Sequence, residues 1–167
     1  MSRPIPRKDL LIAPLCEGGL ILLVSLAAWL SHKPLIFASL GPTAYELIEQ
    51  PHRKSARPYN IIVGHLIAVI AGLAAIYATH AWTVPAVSIA SVPLPRVWAA
   101  ALAAALTVLG TLAARATQPA ALSTTLVVSL GNMQRWQDSL IIMIAILLMT
   151  VVGEPLRIWR ERTTKPE

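Results

Sequence analysis

The sequence has little charge. Only 13% of its 167 residues are Asp, Glu, Lys or Arg, about half of the roughly 25% that is typical of a soluble domain. Hydrophobic residues make up 56% of the chain, and its mean hydropathy is +0.64. This composition excludes an ordinary soluble domain and indicates that the lipid bilayer is the main surroundings of the protein.

Cysteine and histidine are also scarce. The single cysteine, Cys16, excludes an internal disulfide, and the four histidines show no spacing that is typical of metal ligands. The chain has no Gly-rich phosphate loop and no nucleophile elbow. An intramembrane enzyme would need a catalytic pair, which the sequence does not offer. We therefore expect no enzyme activity, no metal and no cofactor.

Acidic residues are outnumbered by basic ones, 8 against 14, which gives a net charge of +6. A basic protein can bind nucleic acid, but here the cations lie in the gaps between apolar runs. Cations in such gaps are typical of topology determinants beside an anionic membrane surface. We predict that nucleic acid is not a partner.

Long apolar runs are abundant. Four of them are about long enough to cross roughly 30 Å of hydrocarbon, and the first is too long for the apolar part of a signal peptide: Leu10–Leu30, Tyr59–Tyr77, Val97–Ala113 and Ser139–Gly153. Two shorter runs, Pro34–Ile48 and Thr117–Gly131, contain Ser, Thr, Gly and Pro. These shorter runs could cross fully or turn back as re-entrant hairpins.

The positions of the basic residues favour six crossings. With a cytoplasmic N-terminus, six crossings place 11 of the 14 Lys and Arg inside and leave only Lys33, Arg96 and Arg135 outside. Four crossings would place 8 of the Lys and Arg residues inside and 6 outside, which fits the positive-inside rule less well. We expect six membrane segments with both termini cytoplasmic, in a bacterial inner membrane.

The two halves of the chain repeat the order of a long, a short and a long segment. A shift of 77 residues places Pro42 on Pro119. Three crossings per half give the halves opposite orientations, which is the inverted repeat of many transporters. The prediction is one all-α polytopic transmembrane domain over 1–167, with repeats at about 9–80 and 96–160. Because one copy has only six short segments, we also expect a homo-oligomer.

Both short segments restart as helices at a proline. A helix start has free N–H groups and a partial positive charge, which suit a small anion. We predict that the two starts face each other at mid-membrane around a small inorganic anion, although small residues also allow close helix packing. The candidate binding residues are Ser39, Gly41, Pro42, Thr43, Gln118, Pro119, Ala120 and Ser123.

Four polar residues near these segments are further candidates. Ionisable groups within membranes are commonly functional, so His65 could carry a proton or simply donate a hydrogen bond, and Glu17 could pair with it or reach the headgroups. Arg115 could reach the anion or act as a topology charge. Asn60 could contact the anion, although capping the third long segment is its simpler role.

The stretch Arg57-Pro58-Tyr59-Asn60-Ile61-Ile62-Val63-Gly64-His65-Leu66 resembles the PRNxxxGH pattern of the HPP family of integral membrane proteins. Ser39–Ala44 is similar to the GASA segment of that family, and Gln118-Pro119-Ala120 stands where its His-Pro-Pro motif is expected. Glutamine can donate a hydrogen bond but cannot titrate. The resemblance extends from about Ser39 to Leu148 and implies about four spanning helices.

The resemblance also implies a substrate, because plastid and cyanobacterial members of that family are nitrite transporters. Together with the paired helix starts, it predicts membrane transport of a small monovalent anion, nitrite above all. The alternative is a membrane-embedded sensory or structural module that binds an anion without moving it. Binding without flux would distinguish the module from the transporter.

Overall fold

The structure, a computed structural model, describes residues 9–164. The predicted inside cations Arg3, Arg7, Lys8 and Lys165 lie outside the described residues. Within 9–164 the chain forms six α-helices and no strand: α1 (Asp9–Ser31), α2 (Leu40–Glu49), α3 (Pro58–Ala78), α4 (Leu94–Ala113), α5 (Ala120–Ser129) and α6 (Trp136–Thr163). Two single turns of 3₁₀ helix lie at Lys54–Ala56 and Ala81–Thr83.

Four of these helices are long and apolar enough to cross a membrane, namely α1, α3, α4 and α6. The two others have 10 residues each, and α5 is a shorter apolar helix. A helix of that length spans about 15 Å, roughly half of the hydrocarbon layer. The prediction of an all-helical polytopic membrane protein is confirmed.

The chain traverses the bundle six times. At one end of the bundle, here called the basic end, Asp9 at the start of α1 pairs with Arg160 near the end of α6. At the same end, Tyr59 at the start of α3 donates to the Ala114 carbonyl at the end of α4. Since α1 begins and α3 begins at this end, the segment between them must return to it. The same reasoning applies between α4 and α6, so neither short segment is a hairpin.

The segment that contains α2 is half extended and half helical. α1 ends at Ser31, because the next residue, His32, has a positive φ of 52° that breaks the helix, and Pro34 cannot continue it. Residues 32–39 then carry the chain into the bundle, where α2 begins with Ser39 as its N-cap. The predicted run Pro34–Ile48 therefore becomes a helix only from Leu40 onward.

α6 continues ten residues beyond the predicted end of its apolar run at Gly153, reaching Thr163. Arg157 donates to Glu154 and Glu161, three residues before and four residues after it, and such pairs support a helix. The helix extension therefore relies on charge pairs that an apolar run does not reveal.

Glycines allow the helices to pack closely. A Cβ added to Gly72 would meet Val128 of α5 at 2.8 Å, and one added to Gly153 would meet Leu47 of α2 at 2.6 Å. Large apolar side chains such as Trp29, Leu109 and Val151 are exposed on the outer faces of the long helices. Small residues inside and large apolar residues outside are typical of a bundle in lipid.

Both halves of the chain show the predicted order of a long, a short and a long helix. The inverted orientation of the two halves stays a prediction.

Candidate functional site

A buried hydroxyl and imidazole network lies where α2, α3 and α5 meet. His65 lies within 3.2 Å of the Thr43 hydroxyl through Nε2 and within 2.7 Å of the Thr124 hydroxyl through Nδ1. Thr124 in turn donates to Ser39 Oγ at 2.7 Å, and Thr43 donates to the Ser39 carbonyl. All four residues are fully buried, so this network is shielded from both water and lipid.

The two short helices lie side by side and antiparallel, which differs from the expected face-to-face starts. Ser39, at the start of α2, contacts Thr124, which lies in the fifth position of α5 rather than at its first turn. A distance of 2.7 Å between two hydroxyl oxygens leaves no room for an anion between them. The predicted cradle between opposed helix starts is therefore wrong in its geometry.

A second hydroxyl pair extends the network toward α4. Thr107 and Thr125 lie 2.7 Å apart at their hydroxyl oxygens, and both are buried. Each hydroxyl also lies within hydrogen-bond distance of a carbonyl one turn earlier in its own helix. Because Thr124 and Thr125 are neighbours in α5, this pair and the His65 network together make a buried polar layer within an apolar bundle.

A cavity of about 640 Å³ opens at the basic end beside the start of α5. Three basic side chains and several neutral donors line it, and no described carboxylate does. The cavity, here called the basic cavity, is lined by Arg53, Lys54, Ser55, Asn60, Leu112, Arg115, Thr117 and Pro119. A concave surface with one sign of charge concentrates ions of the opposite sign, so this cavity favours anions.

Backbone geometry positions two of the predicted residues in the basic cavity. Arg115 has a positive φ of 52° and ends α4 directly after Ala114, which turns the chain back toward α5. Asn60 donates from Nδ2 to the Thr117 carbonyl at 3.0 Å. Arg57, not Asn60, holds the N-cap position of α3, so the expected capping role of Asn60 is wrong.

Gln118 lies directly behind the basic cavity and is only 3% exposed. A Cβ added to Gly64 would meet the Gln118 Cβ at 2.7 Å, so the absence of a side chain at Gly64 makes room for it. No described atom meets hydrogen-bond geometry with Nε2 or Oε1 of Gln118, although the amide lies close enough to the Glu46 carboxyl group to interact with it. The carboxyl group of Glu46, 6% exposed, lies beside it together with the Ser55 hydroxyl.

Glu46 is not among the residues predicted from the sequence, and the helical spacing of α2 explains why. Leu40, Ala44, Leu47 and Ile48 form the buried apolar face of this short helix. Glu46 lies at the edge of that face, between buried Thr43 and exposed Pro42. The spacing therefore does not identify Glu46, and it does not pair Glu46 with Gln118, 72 residues later.

The other predicted site residues are not brought together. Gly41 has open space around it, and Pro42 is exposed. Ala120 is buried and Ser123 is half-buried, and none of these four lines the basic cavity. Among the predicted residues, Asn60, Arg115 and Pro119 therefore line the cavity, Gln118 lies behind it, and Ser39, Thr43 and His65 form the deeper network.

An acidic groove of about 300 Å³ lies between α1 and α2, also at the basic end. Its lining includes Asp9, Glu17 and Glu49 together with Tyr45. Glu17 therefore belongs to this groove, and His65 has hydroxyl partners instead. The suggested pairing of Glu17 with His65 is not present.

Three arginines that the sequence assigned to the membrane surface are buried. Arg96 is 0% exposed and donates to the carbonyls of Val84 and Ser129 and to the side chain of Gln134. Arg157 and Arg160 donate to the Pro51 and Ile48 carbonyls and pair with carboxylates. These cations join helices at the two ends of the bundle, a role that counting charges does not reveal.

Comparison with known proteins identifies a family. A family model described as "HPP, transmembrane region" matches residues 3–161, nearly the whole chain. No curated protein and no solved structure matches the chain.

Proposed function

The chain belongs to the HPP family of transmembrane proteins, and from this premise we propose that it moves a small monovalent anion, with nitrite as the expected substrate, across the membrane. Family membership supports a membrane protein with a possible transport role. The choice of an anion comes from the charge and shape of the site. The choice of nitrite comes from the family resemblance noted in the sequence.

The basic cavity is the observation that carries the proposal. Arg53, Lys54 and Arg115 line about 640 Å³ of accessible space at the start of a helix, where the backbone adds partial positive charge. Among the described residues these three form no salt bridge, whereas Arg57, Arg157 and Arg160 do. Their charge is therefore available to an incoming anion.

The buried polar layer offers a route beyond the cavity. It begins at Gln118, continues through His65 and the hydroxyls of Thr124 and Thr125, and ends near Ser129, whose carbonyl accepts from Arg96. Hydroxyl and amide donors can replace the hydration shell of a small anion without binding it too tightly. In the proposed cycle the Ser39 to Thr124 contact opens while the anion passes.

We also propose the setting of this activity. The basic end would face the cytoplasm of a bacterial cell, in agreement with the positive-inside rule, and both termini would then be cytoplasmic. The protein would act in the lipid bilayer as a transporter rather than an enzyme, with no cofactor and no nucleic acid. A homo-oligomer would shield the short helices α2 and α5 from lipid.

A membrane-embedded sensory or structural module is the second candidate. The observation that favours it is the closed contact between Ser39 and Thr124, because it blocks the route beyond Gln118 in this conformation. Such a module would bind an anion in the basic cavity and release it to the same side. Binding without net flux would then be expected.

Uptake into liposomes tests the proposal. Purified protein would be reconstituted and offered nitrite, nitrate, formate, chloride and bicarbonate in turn, with protein-free liposomes as the control. We expect saturable uptake of at least one monovalent anion, nitrite first. Binding of an anion without uptake of any would support the module, and neither binding nor uptake would refute both candidates.

A further inference from the structure

Four buried polar side-chain atoms among the described residues have no hydrogen-bond partner: Glu46 Oε2, Gln118 Nε2, Gln118 Oε1 and Ser129 Oγ. Three of these four belong to two neighbouring residues. A buried polar group without a partner costs free energy, and a water or ion that fills the space beside it is one of the common explanations. The clustering of three such atoms behind one cavity points to a ligand position.

The chemistry of this position suits a small oxyanion. Gln118 immediately precedes Pro119, so its amide lies at the start of the 10-residue helix α5, where the helix dipole favours negative charge. The amide Nε2 can donate two hydrogen bonds. The Ser55 hydroxyl, which lies beside Glu46 and lines the basic cavity, adds another donor.

Glu46 determines when an anion can stay there. No described cation lies within salt-bridge distance of its carboxyl group, although Arg53 is the nearest basic side chain in the surrounding cavity. An ionised Glu46 would repel an anion at Gln118. A protonated Glu46 would instead present an O–H group that donates a hydrogen bond to the anion.

We propose that Glu46 and Gln118 form an inner binding position for a small monovalent oxyanion, and that this position fills only when Glu46 is protonated. The proposal rests on the proposed function, because the basic cavity supplies the anion. The proton comes from water in that cavity and binds one Glu46 carboxylate oxygen. No bond within the anion forms or breaks, and the proton returns to water when the anion leaves.

The charged groups around α2 are compatible with this role. They come from every element that packs against it: Asp9 and Glu17 from α1, Arg53 from the 50–57 loop, His65 from α3, Arg157 and Arg160 from α6, and Glu49 from α2 itself. The two arginines of α6 already pair with Glu154, Glu161 and Asp9. His65 is occupied by Thr43 and Thr124.

Reconstituted nitrite uptake at different pH values tests the proposal. Between about pH 8 and about pH 6, wild-type uptake should rise by up to about tenfold per pH unit at its steepest, because each unit multiplies the protonated fraction by that factor. The near-isosteric variant Glu46→Gln holds the group permanently neutral. It should transport at both pH values with less than about a twofold difference.

Two further variants make the test specific. Gln118→Leu should lower uptake at least about tenfold at both pH values, since it removes the amide donor from a position that stays buried. Glu49→Gln changes a carboxylate on the same helix that faces the acidic groove, and it should keep the wild-type pH profile. A Glu46→Gln profile identical to wild type, or a Gln118→Leu variant with normal uptake, would overturn the inner position.

A second measurement separates this inference from the proposed function. Thermal unfolding in detergent, with and without nitrite, reports binding even when no flux occurs. Absence of uptake together with a nitrite stabilisation that Gln118→Leu abolishes would reject transport and retain the inner position. Normal wild-type uptake with unaltered variants would retain transport and reject the inner position.

Discussion

The basic cavity and the acidic groove lie at the same end of the bundle, yet they offer an ion opposite surroundings. Arg53, Lys54 and Arg115 line the first, whereas Asp9, Glu17 and Glu49 line the second. In the acidic groove, Asp9 and Glu49 both contact Arg160, so part of their charge is neutralised. The two sites therefore differ in pairing as well as in sign: among the described residues the three cations of the basic cavity form no salt bridge, whereas two of the three carboxylates of the acidic groove do.

Charge reversal in the basic cavity should have the largest effect. In the double variant Arg53→Glu and Lys54→Glu, nitrite uptake should fall at least about tenfold, because focused electrostatic fields alter ion entry by that order or more. The control double variant Glu17→Gln and Glu49→Gln, which neutralises two carboxylates in the acidic groove, should stay within about twofold of wild type. Equal losses in both pairs would remove the distinction between the two cavities.

Crowding behind the basic cavity should have the next largest effect. In Gly64→Ala the new Cβ meets the Gln118 Cβ at 2.7 Å, so Gln118 must shift and uptake should fall by about fivefold, with a stability loss of about 1–3 kcal/mol. Gly19→Ala is the control, since nothing lies within 4 Å of that position. A Gly64→Ala variant with wild-type uptake and unfolding temperature would contradict the placement of Gln118.

Arg115→Gly separates charge from backbone geometry. Glycine adopts the positive φ of this position without strain, so the free energy of unfolding should stay equal or rise by about 0.4–1 kcal/mol. Uptake should nevertheless fall by about threefold, because one cation of the basic cavity is lost. His80→Gly, at another positive φ of 54°, should give the same stability change with normal uptake.

Salt should have the smallest effect. Raising the ionic strength from about 0.05 M to about 0.5 M shortens the screening length, so the rate of nitrite uptake at low nitrite concentration should drop by about twofold. The Arg53→Glu and Lys54→Glu variant should show no such drop. A salt response that is the same in both proteins would mean that these cations do not attract the substrate.

Much of the fold follows from the sequence because hydrophobic length is a local property. All six helices overlap the predicted runs, although α2 begins six residues later and α6 ends ten residues later than its run. The family match agrees with the resemblance of the stretch around Asn60 and His65. The offset between α2 and α5 could not be predicted from the sequence. It depends on the contact of Ser39 with Thr124, which comes 85 residues later in the chain.

The site was predictable only in part for the same reason. Arg115, Asn60 and Pro119 could be identified because charge, amide and proline positions stand out in an apolar sequence. Glu46 and the buried Arg96 could not, because a residue type does not show which backbone carbonyls or amides the fold places around it. Arg96 in particular finds its partners in residues 84–85 and 129–134, where no carboxylate signals their presence.

The depth of Gln118 has a consequence for permeation. Gln118 lies level with Gly64, six residues along α3 from Pro58, or about 9 Å from the start of that helix. Water filling the space lined by Arg115 and Thr117 would therefore thin the low-dielectric barrier from about 30 Å to about 20 Å. An ion would begin its dehydration already a third of the way across, which lowers the electrostatic cost of crossing before any gate moves.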